Sequence, residues 1–375
     1  MKTFLFILLT FSTILFSQSG REIDDFVLSP SSDFYSNNYL NGSNTGKANS
    51  GIGSENDFSA VFLNPAAVKL KSKFTAFLQY SFKTNNRVTY TNAYGPNGYE
   101  LKHKPNSFSG GFAVNINKYI SAGLLYSNTN NVKYDFAANF ASSNEFTYNL
   151  NIHSIALPVI VHFEKFGFGV NVHYNLYRNN ITGVTTIIEP EVPHEVTNSF
   201  ERLNVQVGLY YRPVKTFSAG LTFTPGFKSD IKSSDDNTIS PYFKFVARYP
   251  YKISAGVNFL TLNNRLSLAF DYNFQRTSEM TGHLDKNDVN FGFEYFLNEK
   301  LTLRTGFFTS FDIRDFHSDV VGFPGREGDF TQYFLTAGFT YKLKNADLSL
   351  SVLDSHISPG IIKLFMVNTA LVFNF

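Results

Sequence analysis

Residues 166–176 read FGFGVNVHYNL, and residues 203–211 read LNVQVGLYY. In the first stretch Phe166, Phe168, Val170, Val172, Tyr174 and Leu176 alternate with Gly167, Gly169, Asn171, His173 and Asn175. In the second Leu203, Val205, Val207, Leu209 and Tyr211 alternate with Asn204, Gln206, Gly208 and Tyr210. A period of two means a β-strand with unlike faces. One face carries large apolar groups, and most of the other is small or polar. Residues 266–274 and 289–297 repeat the pattern, with Asp271, Glu294 and Phe296 on the second face. The segments run to about ten residues, the length a tilted strand needs to cross a bilayer. Strands of soluble sandwiches are shorter, at about five or six. Apolar residues toward lipid and small or polar ones toward a lumen describe an outer-membrane barrel strand.

The joints between such segments alternate in length. Short ones include Asn117-Lys118, Glu164-Lys165, Arg212-Pro213-Val214-Lys215, Thr261-Leu262-Asn263-Asn264, Asn298-Glu299 and Lys344-Asn345. Long ones run over 84–107, 129–146, 179–202, 225–250, 276–287 and 310–328. Tight periplasmic turns and long extracellular loops have this rhythm, and the count comes to about fourteen strands. The fold class is therefore all-β: a transmembrane antiparallel β-barrel, in the bacterial outer membrane, with both termini expected on the periplasmic side. Within the last strand Thr369, Leu371, Phe373 and Phe375 share one face, which resembles the carboxy-terminal signal read by the barrel-assembly machinery.

Composition narrows the function. Only 17% of residues are charged, and 42 Phe and 21 Tyr stand beside no Trp, so aromatic girdles must come from Phe and Tyr. A net charge of +2 gives no argument for nucleic acid. The absence of Cys excludes disulfides, thiolate metal sites and thiol catalysis. Lys2 followed by the apolar run 4–16 and by Ser17-Gln18-Ser19 reads as an export signal over 1–19. Residues 20–73 lack strand alternation, and 74–375 form the barrel. A wide lumen must hold water, loops or a plug. Residues 59–68, SAVFLNPAAV, are apolar and stand just ahead of the first strand, so 20–73 is expected to fill the bore as a hatch. Gly111, Gly123, Gly208, Gly220, Gly256, Gly292, Gly306 and Gly338 fall on lumen faces near the short turns. They either make room for that hatch or bend the wall.

Gly51-Ile52-Gly53 followed by Asn64-Pro65-Ala66 resembles the amino-terminal hatch of the FadL/TodX family. Residues 208–231 (GLYYRPVKTFSAGLTFTPGFKSDI), 251–274 and 299–308 (EKLTLRTGFF) are similar to that family's later hairpins. The resemblance implies a plugged fourteen-stranded barrel that passes long-chain fatty acids and other hydrophobic compounds. It implies Gly51, Gly53, Asn64, Pro65 and Ala66 as hatch residues.

Enzymatic chemistry finds little support. There is no H-E-x-x-H, G-x-S-x-G or phosphate-binding glycine loop. Ser154 with His162 is the nearest approach to a lipase pair. Asp235 and Asp236 are a weak calcium candidate. No cofactor and no metal are expected.

Asp271, Glu294 and Arg304 are expected to form a lumen ion network. Arg304, Phe296 and Phe334 are candidate ligand contacts, with Arg304 the group that would receive a carboxylate. In residues 148–163 the apolar parity switches between Ile152 and Ile155. A bulge near His153-Ser154 would reconcile the halves, and Pro158 lacks a ladder donor. A strand kink opens a lateral exit in FadL-like channels, so the resemblance implies Ser154 and Pro158 as a candidate lateral gate.

Two functions fit. One is a passive, monomeric channel for fatty acids or hydrocarbons, set among outer-membrane lipid and lipopolysaccharide. Its ligands would be captured on loop aromatics, as in 90–99 and 307–323, and released laterally. The other is a non-transporting partner of a protein secretion system.

Overall fold

The protein's structure is a computed structural model that describes residues 22–24, 41–84, 86–92, 95–103, 107–140, 142–185, 192–233, 244–280, 283–313, 315, 331–359 and 363–375. The stretch 1–19, Asp235, Asp236 and residues 316–323 lie outside the described residues.

The strands are β1 (Glu22–Asp24), β2 (Phe74–Lys83), β3 (Asn86–Asn92), β4 (Gly95–His103), β5 (Ser107–Asn115), β6 (Ile120–Phe140), β7 (Ser142–His162), β8 (Phe166–Thr185), β9 (Val192–Val214) and β10 (Phe217–Thr224). They continue as β11 (Phe227–Asp230), β12 (Lys232–Ser233), β13 (Lys244–Tyr249), β14 (Lys252–Thr261), β15 (Leu266–Gln275), β16 (Lys286–Phe296), β17 (Leu301–Ser310), β18 (Gln332–Lys342), β19 (Ala346–Asp354) and β20 (Phe365–Asn374). The chain makes a closed barrel of fourteen antiparallel crossings, three of them in two pieces: β2 with β3, β4 with β5, and β10 with β12. Closure pairs the first crossing with the last, from Thr75 opposite Asn374 to Lys83 opposite Met366. A closed ladder leaves no strand edge in hydrocarbon, where each unpaired backbone group would cost several kcal/mol.

The barrel is inside-out relative to a soluble protein. Leu78, Phe112, Leu157, Phe168, Leu209, Phe223 and Phe291 are exposed on the outer wall. Gln79, Ser109, Asn171, Asp271, Asn290, Ser349 and Asn368 are buried. These polar groups sit on the opposite parity of the same strands. Lipid accommodates the first set, and in the bore Gln79, Asp271, Asn290, Ser349 and Asn368 each find a hydrogen-bond partner. Among the described residues no helix is long and apolar enough to cross a membrane.

The short turns are built by local chemistry. Asn117 Oδ1 accepts the N–H groups of Tyr119 and Ile120 at 2.8 and 2.9 Å, and Asn298 Oδ1 accepts those of Lys300 and Leu301 at 2.9 and 2.8 Å. Such side chains mimic a backbone turn. Leu262, Asn263 and Asn264 turn with positive φ.

Residues 41–68 run inside the barrel, with short 3-10 turns at Gly42–Lys47, Phe58–Ala60 and Pro65–Ala67, and 69–73 lead out to β2. Phe58, Val61 and Val68 are fully buried against the wall residues Phe77, Leu125, Ala156 and Ile160. The wall comes close because it lacks side chains there. A Cβ on Gly220 would stand 1.9 Å from the Ile52 carbonyl oxygen, and one on Gly292 would stand 1.9 Å from Ser50 Oγ. Gly123, Gly208, Gly256, Gly306 and Gly338 also face this segment, as do Gly167 and Gly169. Gly111 does not; it abuts Leu124 and Leu125 of the next strand.

One expectation needs correction. β7 contains no bulge: it pairs with β8 in unbroken register from Glu145 to His162. The register shift lies on its other neighbour, between Asn128 and Asn130 of β6. The parity switch has another cause, since Ile152 faces inward and packs on Tyr177 and Phe200. β20 ends at the side of the short turns, but β1 pairs in parallel with β13, which lies beyond the loop end of β14. Glu22–Asp24 therefore sits at the loop end, away from the carboxy terminus.

Candidate functional site

The most elaborate polar chemistry joins the inner segment to the wall. Asp271 Oδ2, buried on β15, accepts the N–H of Gly51 at 2.6 Å and that of Ile52 at 3.1 Å. Ser218 Oγ donates to the Gly53 carbonyl at 2.6 Å. Asn64 works in two directions. Its Oδ1 caps the turn at Pro65 by accepting Ala66 N–H at 3.0 Å, while its Nδ2 donates to the carbonyls of Ile52 (2.8 Å) and Leu209 (3.0 Å). Asn290 donates to the Ala48 carbonyl at 2.6 Å, and Asn368 to Thr45 Oγ1 at 2.8 Å. At the turn end Arg212 meets Glu55 at 3.0 Å and Lys71 meets Asp347 at 2.6 Å. The expected hatch residues Gly51, Gly53, Asn64, Pro65 and Ala66 are thus brought together on the line of lumen glycines.

The expected ion network divides. Arg304 pairs with Glu294 at 2.5 Å and donates to Thr340 Oγ1 at 2.5 Å, whereas Asp271 is taken up by backbone N–H groups. Lys47 of the inner segment is buried beside Gly292 and Gly306, attracted by Glu294 and Asp271 and opposed by Arg304. Sequence reading missed Lys47, because only the path of the inner segment puts it there. Arg304 is engaged by Glu294 and Thr340, a geometry suited to holding the wall together.

The other two ligand candidates are not neighbours. Phe334 is fully buried and stacks on Phe308 at 4.4 Å, within a cluster that includes Ala48, Leu353, Leu364 and Met366. Phe296 lies at the turn end, opposite Thr302 of β17, six positions from Phe308. At strand rise the two are separated by roughly 20 Å. The apolar site that does form in the loop half was not anticipated. Tyr177 and Phe200 stack at 4.1 Å, with Ile152, Phe227 and Ile231 against them. The Arg202 guanidinium lies 5.5 Å from the centre of the Phe227 ring. Its signal was the parity switch at Ile152.

Ser154 is buried on the lumen face, and Pro158, four residues further along the same face, is buried too. Between β6 and β7 the ladder skips Gly123 and Leu124, opposite Leu157 and Pro158. The Phe58 ring fills the space at Gly123, so the interruption is backed by the inner segment. Ser154 and His162 do not form a pair. They lie eight residues apart on one strand, roughly 26 Å, and His162 Nε2 is bonded to the Val68 carbonyl. Among the described residues no group of three or more His, Asp or Glu side chains is placed to hold a metal ion.

Inward polar faces, an outward apolar belt and a bore occupied by a preceding segment define an outer-membrane β-barrel of fourteen strands. Solved structures of this architecture are similar over most of the chain. A FadL homologue from Pseudomonas aeruginosa matches with a TM-score of 0.64 and 13% identity, over 90% of this chain and 98% of that one. The toluene transporter TodX of Pseudomonas putida matches at 0.61 and 10%, over 96% and 100%. The toluene transporter TbuX of Ralstonia pickettii matches at 0.58 and 14%, over 90% and 99%. At these identities the likeness is one of fold. No curated protein matches the sequence. The family model described as type IX secretion system membrane protein PorP/SprF matches residues 153–357, more than half of the chain. The chain belongs to the PorP/SprF family.

Proposed function

We propose that this protein is an outer-membrane component of a type IX secretion system, with residues 41–73 as a hatch that holds its bore closed. Family membership carries the reading. The geometry supports it, because the hatch is tied to the wall by Asp271, Ser218, Asn290 and Asn368 as well as by close backbone packing. Many distributed contacts suit a static seal better than a gate that opens for each passing molecule. The test is purification from native membranes after mild cross-linking. Secretion-system proteins recovered with the barrel, and no fatty acid or hydrocarbon in the extract by mass spectrometry, are expected. A barrel recovered alone with bound lipid would overturn the proposal.

The second reading, passage of hydrophobic molecules, is favoured by one observation. The loop half of the lumen holds the apolar group Ile152, Tyr177 and Phe200, with Arg202 near its rim. Each methylene buried there would contribute about 0.8 kcal/mol, so affinity for a series of alkanoates would rise with chain length. Flat affinity across the series would remove this reading. Ser154 and Pro158 would border its lateral exit.

A further inference from the structure

The turn end of the barrel is strongly basic, in a chain whose overall net charge is only +2. Each of the six short turns presents one exposed cation: Lys118, Lys165, Lys215, Arg265, Lys300 and Lys344. Where the hatch leaves the bore, Lys69, Lys71 and Lys73 add three more. Against these nine stand three exposed carboxylates, Glu55, Glu164 and Glu299. The exposed groups of this end therefore sum to +6, against +2 for the whole chain.

Internal pairing does not account for the charge. Lys69 lies 3.6 Å from Glu55, and Lys71 is bonded to Asp347. Among the described residues the six turn cations and Lys73 have no ion pair. Like charges gathered on one face repel one another and make a potential that attracts an anionic partner.

We propose that this face, which the short-turn rule places in the periplasm, is a docking surface for an acidic face of a periplasmic protein. A ring of lysines around a barrel also suits anionic lipid headgroups, toward which long side chains extend. The layout favours a protein. Lys69 and Glu55 belong to the hatch beneath the bore, inside the ring of turns, where a surrounding bilayer does not reach. A flat soluble partner touches hatch and turns together. The proposal rests on the secretion reading only for the partner's membership of that machinery.

The test uses the full mature protein in phosphatidylcholine nanodiscs, titrated with a fluorescent polyglutamate peptide. The comparison is a variant carrying K118Q, K165Q, K215Q and K344Q. These exposed turn positions take no part in the lumen contacts, and heat-modifiable migration confirms folding. Binding is expected to weaken about tenfold in the variant, to recover with arginine at the same four positions, and to fall with added salt. Equal binding by both proteins would overturn the proposal. So would a variant effect seen only as lost retention of phosphatidylglycerol, which would make the ring a lipid anchor. In cells, a photo-cross-linker at Asn345 is expected to join an acidic periplasmic protein, with yield lost in the glutamine variant and restored by arginine. Lipid adducts alone, or yields indifferent to charge, would count against it. Charge-dependent docking in a protein whose deletion leaves cargo export intact would support the surface and remove the secretion role.

Discussion

The Asp271 carboxylate accepts the backbone N–H of Gly51 at 2.6 Å, across 220 residues of sequence. The same oxygen holds Ile52. Leaving two buried amides without an acceptor costs about 1–3 kcal/mol each. Asp271→Ala is therefore expected to loosen residues 41–73 while the barrel ladder stays intact. Limited proteolysis reads this as new cleavage within the segment, with heat-modifiable migration unchanged. Wild-type protection in the variant would mean that the contact does not hold the hatch.

Gly220 tests the packing separately from the hydrogen bonds. Its Cβ would collide with the Ile52 carbonyl at 1.9 Å, a backbone atom that yields only if the segment moves. Gly220→Ala is expected to expose the segment to protease. Gly110→Ala is the control, because its nearest contact is the end of the flexible Leu78 side chain. Identical digestion of the two variants would dismiss the close-approach argument.

Arg304 and Glu294 make a pair whose side chains are 8% and 13% exposed. Removing one partner from a buried pair costs about 3–5 kcal/mol, and replacing both costs far less. Arg304→Ala should lower the thermal unfolding midpoint in detergent more than Arg304→Met with Glu294→Gln does. If Arg304→Ala leaves the midpoint unchanged and weakens a bound alkanoate, the residue serves ligand.

The position of β1 is open to a direct check. Ile23 pairs with Phe245 in the parallel ladder. Neighbouring strands lie about 4.8 Å apart, within disulfide reach, and the chain has no native Cys to interfere. Ile23→Cys with Phe245→Cys is expected to cross-link on mild oxidation. Failure of that pair while Ile23→Cys links near a short turn would return the amino terminus to the other side.

The barrel was legible because lipid imposes a period of two that local sequence must obey. Residues 166–176 and 203–211 show it residue by residue. The first crossing begins at Phe74. The lumen was less legible, because its contacts join residues far apart in the chain. Asp271, Glu294 and Arg304 share the inward parity, but parity does not say that Gly51 and Ile52 take the first and leave the other two to pair. Lys47 carries no local sign of burial. At Ile152 the sequence did signal the aromatic group with Tyr177 and Phe200. A bulge was inferred because an apolar lumen face and a slipped register produce the same change of parity.

The role proposed for this closed barrel is protein export. The most direct measurement is the amount of type IX cargo outside cells lacking this chain, with and without the wild-type gene restored. Cargo trapped inside the deleted cells, release on restoration, and unchanged uptake of labelled fatty acid throughout are expected. Normal cargo release together with lost fatty-acid uptake would contradict it.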